Sequence, residues 1–156
     1  MISSADTVTS WTWHAWATLA PDTLYAFLKL RSDIFVVEQN CVFPEMDGLD
    51  PLCEHLCGTN AQGRLLAYLR LVPPGVKSVQ PGLGRLVVDV EARRLGLGRA
   101  AIAEGIRHCR GRYPGQAIFL AAQQHLTTFY ATLGFGIFGE PYSEDGIQHV
   151  NMLLPA

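Results

Sequence analysis

The stretch RLVVDVEARRLGLGRAAIAEGI, from Arg85 to Ile106, contains the clearest structural pattern in the sequence. Its first six residues, ending at Val90, are mostly apolar and predict a buried strand, whereas apolar residues recur at helical spacing from about Gly98. The segment EARRLGLGR between them is therefore predicted to be a tight turn from strand to helix. Backbone N–H groups at a helix start lack intrahelical partners and lie at the positive end of the helix dipole, so the turn predicts an anion site.

The glycines and arginines of this turn indicate which anion would bind. Gly96 and Gly98 would let a ligand approach the backbone closely, because glycine carries no side chain. Arg93, Arg94 and Arg99 add positive charge, which favours a phosphate or pyrophosphate group. The alternative is a turn that glycine merely makes easier, with its arginines in solvent.

Length and composition restrict the classes of protein that the chain can belong to. With 156 residues and 49% hydrophobic content, residues 1–156 are expected to form a single domain. A net charge of -2 favours a small anionic ligand over nucleic acid. We expect no secretory signal and no membrane span, and four irregularly spaced cysteines indicate free thiols in a reducing cytoplasm. Because no second ligand pair stands at zinc-site spacing, no metal site is predicted.

The remaining segments predict alternating helices and strands. A first strand and a helix are followed by a loop over residues 40–51 and by a hairpin, and the glycine turn then leads to a strand, a helix and two last strands. This order predicts a layered α/β or α+β domain. The segments are, in order, SWTWHAWATL, PDTLYAFLKLRSDIFVVEQ, CEHLCGT, RLLAYLRLV, QAIFLAA, HLTTFYATLG, FGIFGE and HVNMLLP.

The segment GLGRAA also matches the dinucleotide-binding pattern G-x-G-x-x-A. That pattern normally follows the first strand of its unit, and an acidic residue is expected near the end of the next strand. Here the next strand ends in Ala121, Ala122 and Gln123. A nicotinamide-dependent oxidoreductase is therefore the less favoured alternative.

Three segments together resemble a known family. Arg93-x-x-Gly96-x-Gly98 after a strand, followed by AAQQHLTTFYATLGF, resembles the acetyl-CoA motif of the GNAT superfamily of N-acetyltransferases. LRSDIFVVEQNCVFPEMDGLDPLCEH and YSEDGIQHVNM resemble its ElaA-like branch, so that the resemblance covers nearly the whole chain. It implies a mixed, mostly antiparallel sheet flanked by helices and splayed between strands 4 and 5, where acetyl-CoA inserts without any metal. It also implies direct transfer of the acetyl group to an amine.

The resemblance assigns cofactor contacts to individual residues. The backbone of the fourth strand would line the pantetheine arm, and the turn that follows would hold the pyrophosphate. Gln123 stands where the superfamily often has an asparagine that contacts the cofactor. The predicted cofactor-binding residues are Leu86, Val87, Val88, Arg93, Arg94, Leu95, Gly96, Leu97, Gly98, Arg99 and Gln123.

Two residues are predicted to be catalytic. Tyr130 matches the tyrosine with which many members protonate the departing thiolate, although it also belongs to a helical stripe of apolar residues that is typical of a core. Glu38 is the leading candidate for the base that accepts a proton from the acceptor amine. The alternative for Glu38 is an exposed carboxylate that pairs with an arginine.

The acceptor is expected to be a small-molecule or peptide amine. Asp47 and Asp50 could attract a cationic acceptor, but stabilisation of turns is the more ordinary role for such residues. His55 and His149 are secondary candidates for the base. A non-catalytic acyl-CoA-binding module and longer acyl donors, as in acyl-homoserine lactone synthases, also stay open, and the last strands could pair across a homodimer.

Overall fold

The computed structural model describes residues 7, 8 and 10–156. Within these residues the chain forms one seven-stranded sheet in the order β1-β2-β3-β4-β5-β7-β6, with three α-helices. The strands are β1 (Ser10–Ala15), β2 (Glu54–Thr59), β3 (Leu65–Val72), β4 (Gly82–Val88), β5 (Ile118–Gln123), β6 (Gly136–Glu144) and β7 (Ile147–Leu154). The helices are α1 (Pro21–Arg31), α2 (Leu97–Arg112) and α3 (Thr127–Ala131).

The sheet opens between β4 and β5, as predicted. These two strands are parallel and pair at a single position, Gly82 with Phe119, whereas every other pair of neighbouring strands in the described chain is antiparallel. Beyond that position the two strands diverge. The backbone of β4 therefore has a hydrogen-bonding edge that no strand covers.

A β-bulge bends β4 at the opening of the sheet. The register between β3 and β4 shifts by one residue between Tyr68 and Arg70, opposite Arg85, whose φ of 53° is left-handed. An extra residue in one strand of an antiparallel pair bends that strand and re-aims its side chains. The sequence indicated a strand from Arg85 to Val90, but β4 begins at Gly82, because pairing with β3 and β5 extends it toward the chain start.

The helix of the stretch from Arg85 to Ile106 begins at Leu97, close to its predicted start at about Gly98. Gly96 precedes α2 with a φ of 77°, a left-handed conformation that glycine adopts without strain. Further along α2, a Cβ on Gly105 would lie 2.5 Å from the Leu69 side chain. Glycine at this position therefore allows α2 to approach β3 closely, a packing role that no local pattern had indicated.

The helices bury two apolar clusters on opposite faces of the sheet. The larger cluster lies under α2 and α3 and includes Ile102, Leu120, Tyr130 and Met152. The smaller cluster lies under α1 and includes Phe27. After Arg31 the helical path continues over Ser32–Glu38 with π-helical turns, which carries the chain to the open end of the sheet.

The last hairpin is longer than predicted. The last two strands were predicted at FGIFGE and HVNMLLP, with the turn-forming residues of PYSEDGIQ between them, yet β6 runs to Glu144 and β7 starts at Ile147. Asp145 and Gly146 alone make the turn, with φ values of 53° and 79°. Two left-handed residues of the Asp-Gly type favour a tight hairpin, which places the β6–β7 turn beside the opening of the sheet.

Candidate active site

A cavity of about 740 Å³ occupies the opening between β4 and β5. Its walls come from both strands, from the π-helical segment after α1, from the loop over residues 39–53, from α3 and from the β6–β7 turn. The Cys41 thiol donates to the backbone oxygen of Asp145 at 3.4 Å, which joins the loop to the β6–β7 turn. Several predicted residues line this one cavity: Glu38, Leu86, Val87, Val88, Arg93, Gln123 and Tyr130.

The cavity has two ends of different character. We call the part lined by Val87, Val88, Arg93 and Gln123 the turn end, because it lies beside the start of α2. We call the part lined by Lys77, Arg85, Glu144, Asp145 and His149 the loop end. A small recess of about 70 Å³ at the loop end is also lined by Lys77, Arg85, Glu144 and His149, so these four side chains lie together.

The glycine turn lies next to the cavity rather than inside it. The residues from Arg94 to Arg99 do not line the cavity; they surround the first turn of α2, where no side chain caps the helix. A Cβ on Gly96 would meet nothing within 4 Å, so the space above this backbone is open. A Cβ on Gly98 would lie 3.9 Å from the Leu86 and Val88 side chains, which is ordinary van der Waals contact, so Gly98 faces β4. An open, uncapped helix start can bind an anion through its N–H groups.

The three arginines of the turn differ in their partners. Arg93 forms an ion pair with Glu38, and Arg99 donates to the Thr132 hydroxyl at 2.7 Å while its guanidinium lies over the Phe129 ring. Arg94 makes no hydrogen bond or ion pair with the described residues. Its guanidinium is therefore the one of the three that could take a phosphate without first breaking another contact.

Tyr130 is packed in the core and also lines the cavity. Its side chain is 7% exposed and packs edge-on against Phe129 and Phe135, as expected of a core residue. It nevertheless lines the cavity, and its hydroxyl has no hydrogen-bond partner in the described chain. Burial raises the pKa of Tyr130 to about 12, so the phenol keeps its proton near neutral pH. Tyr130 can therefore donate a proton to a group that enters the cavity.

Glu38 lines the cavity but is held by an arginine. Its two carboxylate oxygens accept from Arg93 at 2.6 and 2.7 Å, and both side chains are 40% exposed. These hydrogen bonds lower the pKa of Glu38, and a carboxylate with a lowered pKa is a weaker base. Next to this pair, Gln123 donates to the side-chain oxygen of Gln39 at 3.3 Å.

The loop over residues 39–53 is fixed by a group of charged residues that we call the arginine cluster. Arg31, which is 0% exposed, donates to Asp50 at 2.8 Å and to Glu45 at 2.7 Å. Arg70, also buried, donates to Asp50 at 3.1 Å. The full cluster comprises Arg31, Arg70, Arg85, Glu45, Asp47 and Asp50.

The acidic residues of this cluster are structural. Burial opposes the ionisation of Asp50, but hydrogen bonds from Arg31 and Arg70 outweigh it and lower the pKa of Asp50. The pKa of Asp47 is lowered in the same way, against burial, by Arg70. Because three arginines balance three carboxylates, the cluster projects little net charge into the cavity. The structure thus supports loop ordering for Asp47 and Asp50 and offers no support for attraction of a cationic acceptor.

The two candidate histidines have different surroundings. His55 is fully buried, and both of its ring nitrogens have partners, the Tyr68 hydroxyl at 2.6 Å and the Asp50 backbone oxygen at 3.0 Å. Burial lowers the pKa of His55, which suits a neutral structural histidine. His149, in contrast, lies at the loop end of the cavity.

The arginine cluster was not predicted from the sequence, although two of its arginines stand among apolar residues. Arg70 interrupts the apolar run RLLAYLRLV, and Arg31 follows the apolar residues Leu28 and Leu30 of α1. A buried position that carries arginine requires an acidic partner, and the nearest acid-rich segment is the loop over residues 39–53. Which acid pairs with which arginine depends on contacts over 14 to 40 residues of sequence, which no local pattern records.

Two properties concern the described residues as a whole. No helix among residues 7, 8 and 10–156 is long and apolar enough to cross a membrane. In the same part of the chain, no group of three or more His, Cys, Asp or Glu side chains could hold a metal ion.

Comparison with known proteins places this architecture among acyltransferases. The model of a family described as acetyltransferase (GNAT) domain matches residues 54–155. Protein ElaA of Escherichia coli is 35% identical over 136 residues, which are 86% of this chain and 88% of ElaA. The crystal structure of Escherichia coli ElaA superimposes with a TM-score of 0.85 at 32% identity, covering 92% of this chain and 97% of that one.

Two further solved structures have a similar fold. An acyl-CoA N-acyltransferase from Pseudomonas aeruginosa has a TM-score of 0.87 at 38% identity, over 92% of this chain and 97% of its own. The CoA-dependent acyl-homoserine lactone synthase BjaI, solved with SAM and isopentyl-CoA, has a TM-score of 0.75 over 92% and 81% of the two chains. At 18% identity, the second similarity extends to the fold alone.

Proposed function

Because the chain belongs to the GNAT acetyltransferase family, we propose that it transfers an acetyl group from acetyl-CoA directly to an amine. The observation that carries the proposal is the shared cavity: Tyr130, with its free hydroxyl, lines the same opening as the uncovered edge of β4. A proton donor and a backbone edge that can bind an extended ligand thus meet in one place.

The turn end of the cavity would bind the cofactor. Over Leu86–Val88 the N–H and C=O groups of alternate residues face the strand edge that β5 leaves uncovered, where a pantetheine amide could pair with them. The open start of α2 continues this path and supplies N–H groups for the pyrophosphate, with Arg94 as the free cation. Gln123 and Arg93 would contact the arm between these two points.

The chemistry requires one acid and one base. The amine nitrogen attacks the thioester carbon, a C–N bond forms and the C–S bond breaks, so that sulfur leaves with the electron pair. A thiolate is a better leaving group when a nearby acid protonates it, and the Tyr130 hydroxyl is available for this step. Glu38 remains a candidate for the base, although its ion pair with Arg93 makes it a weak one.

A direct transfer agrees with the state of the cysteines. Burial raises the pKa of Cys53 and Cys109 to about 11 and that of Cys57 to about 12, so these thiols stay protonated and unreactive. Cys41 lines the cavity, but its thiol donates to a backbone oxygen and contacts no histidine among the described residues. No thiol in the described chain therefore has the activated environment of a covalent nucleophile.

The experiment that tests the proposal is calorimetric titration of the protein with acetyl-CoA, with NADH in parallel. We expect micromolar binding of acetyl-CoA, weaker binding by Arg94→Ala, and no binding of NADH. Release of the CoA thiol in the presence of small amines and peptides then tests turnover. Binding without turnover would favour the non-catalytic acyl-CoA-binding module, and tight NADH binding would favour the oxidoreductase.

The acyl chain can be tested in the same assay. BjaI, which shares the fold, was solved with isopentyl-CoA, so a longer acyl donor is the specific alternative to acetyl-CoA. The matched family is described as an acetyltransferase domain, and the cavity wall beside Leu69, Leu83 and Ile102 is apolar. We therefore expect acetyl-CoA to be preferred over isopentyl-CoA in kcat/KM.

A further inference from the structure

His149 occupies the loop end of the cavity near the start of β7. It stands in register with Gln123 of β5 on one side and with Tyr142 of β6 on the other. Its ring stacks on the Tyr142 ring with centroids 5.9 Å apart, and its side chain is 12% exposed. The imidazole is thus held in place by its neighbours while it faces the space in which an acceptor would bind.

The hydrogen bond of the ring determines which nitrogen is free. Nδ1 of His149 lies 2.8 Å from the backbone oxygen of Ile147, and a carbonyl oxygen can only accept. Nδ1 therefore carries the hydrogen, and in a neutral imidazole Nε2 then holds the lone pair. Nε2 makes no hydrogen bond with the described residues. His149 is consequently oriented as a proton acceptor toward the cavity.

The charged groups around Nε2 would stabilise a transferred proton. The Glu144 carboxylate of β6 lies 3.8 Å from Nε2, too far for a hydrogen bond but close enough for an imidazolium to gain from its charge. Lys77 and Arg85 line the same recess and act in the opposite sense. Arg85 is itself paired with Glu45 at 2.8 Å, which reduces its effect.

Glu38 differs from His149 because the atoms with which it would accept a proton already have hydrogen-bond partners. Both oxygens of Glu38 are occupied by Arg93, so its carboxylate would have to leave an ion pair before it accepted a proton. Nε2 of His149 has no partner to lose. The free lone pair, its location at the loop end and the nearby carboxylate favour the histidine.

We propose that His149 is the catalytic base that removes the proton from the acceptor amine, an assignment that rests on the proposed acetyl transfer. The acceptor enters as an ammonium ion, and one proton moves from its nitrogen to Nε2 of His149, which frees the nitrogen lone pair for attack. As the C–N bond forms, the nitrogen loses a second proton, which passes to water. Sulfur leaves with the electron pair of the C–S bond and takes the proton of the Tyr130 hydroxyl. His149 has then gained one proton and Tyr130 has lost one, and exchange with water restores both.

The tautomer can be tested without any acceptor. Long-range nitrogen–proton correlation spectra of the labelled protein with acetyl-CoA, at pH 8, report which ring nitrogen carries the hydrogen. We expect hydrogen on Nδ1 of His149, where the Ile147 oxygen accepts it, and none on Nε2. Hydrogen on Nε2 would overturn the proposal.

The role can be tested with His149→Asn, whose side-chain amide can still donate to the Ile147 oxygen but cannot accept a proton. The probes are ethylamine, which is mostly protonated near neutral pH, and 2,2,2-trifluoroethylamine, which is mostly neutral because its fluorines withdraw electrons. We expect the variant to lower kcat/KM about 100-fold for ethylamine and less than about tenfold for the fluorinated amine. His14→Asn, on β1 and away from the cavity, is the matched control.

The outcomes separate this proposal from the one on which it rests. If the wild-type protein transfers acetyl to neither amine, acetyl transfer to amines fails and the base role fails with it. If the wild-type protein is active but His149→Asn loses activity equally for both amines, or for neither, only the assignment of His149 fails. Thermal unfolding of His149→Asn and of a second variant, His149→Gln, shows whether a loss of activity comes from a loss of the fold.

Discussion

The arginine cluster and the cavity beside it both contain buried polar side chains, but they differ in how these are paired. In the cluster, Arg31 and Asp50 satisfy each other, and Arg70 Nε is the one side-chain nitrogen or oxygen in the described chain that is both fully closed off from solvent and without a partner. In the cavity, the Tyr130 hydroxyl and His149 Nε2 have no hydrogen-bond partner within the described chain. Paired charges hold the walls in place, whereas unpaired polar atoms remain available for chemistry.

The two regions depend on each other through β4. Arg85 stands at the β-bulge in a left-handed conformation, and its side chain reaches Glu45 and Asp47 of the loop. The cluster thus ties the loop to the strand whose free edge lines the cavity. If the two regions have these different roles, substitutions in the cluster should lower the free energy of unfolding, and substitutions in the cavity should lower kcat.

The largest expected effect is on stability. Asp50→Ala would leave Arg31 with Glu45 and Arg70 with Asp47, but the cluster would then hold three arginines against two carboxylates. Removal of one partner from a buried ion pair costs about 3–5 kcal/mol. We expect a loss of this size in the free energy of unfolding, measured by urea denaturation. Asp33→Ala, which breaks the exposed ion pair with Lys29, serves as the control and should have a much smaller effect. Equal losses for the two variants would refute the structural role of the cluster.

The next effect is on turnover. Tyr130→Phe removes the hydroxyl and keeps the ring packed against Phe129 and Phe135, so the fold should be retained. We expect kcat to fall about 100-fold or more, because proton transfer by a positioned group contributes this much, while the Kd for acetyl-CoA changes less than about twofold. A similar loss in kcat and in affinity, or no loss in either, would leave Tyr130 as a core residue only.

The pH dependence of stability provides a third test. The pKa values of Asp47 and Asp50 are lowered in the folded protein, so the unfolded chain binds protons on these residues before the folded chain does. Their contribution is complete above the unfolded pKa of about 4 and is lost as the pH falls further. We expect the urea midpoint to decrease between pH 6 and pH 3. Asp47→Asn should show a shallower decrease, and an identical slope in the variant would contradict the assignment.

The smallest effect is expected for Glu38. Its ion pair with Arg93 is exposed, so Glu38→Gln should leave the free energy of unfolding close to that of the wild-type protein. With ethylamine as acceptor, we expect this variant to lose less than about tenfold in kcat/KM, far less than His149→Asn. A larger loss for Glu38→Gln than for His149→Asn would return the base role to the carboxylate.

Local sequence patterns were sufficient to predict the strand, turn and helix at the turn end of the cavity. The apolar run, the glycines and the helical spacing predicted a strand, a turn and a helix between Arg85 and Ile106, and each is present with shifted ends. The resemblance to the GNAT superfamily, rather than any spacing, implied the splay between β4 and β5, which the single pairing of Gly82 with Phe119 confirms. The long last hairpin was missed because strand pairing overrode the turn-forming residues of PYSEDGIQ.

The partners of the charged residues were decided by the tertiary structure alone. Glu38 and Arg93 are separated by 55 residues in sequence, and Arg31 and Asp50 by 19, so no local pattern could show that these side chains meet. The same carboxylate is a base when it is free and a structural anion when an arginine holds it, because hydrogen bonds to the charged form lower its pKa. Residue type and spacing therefore identified the chemistry that was available, and long-range packing decided which groups are free to perform it.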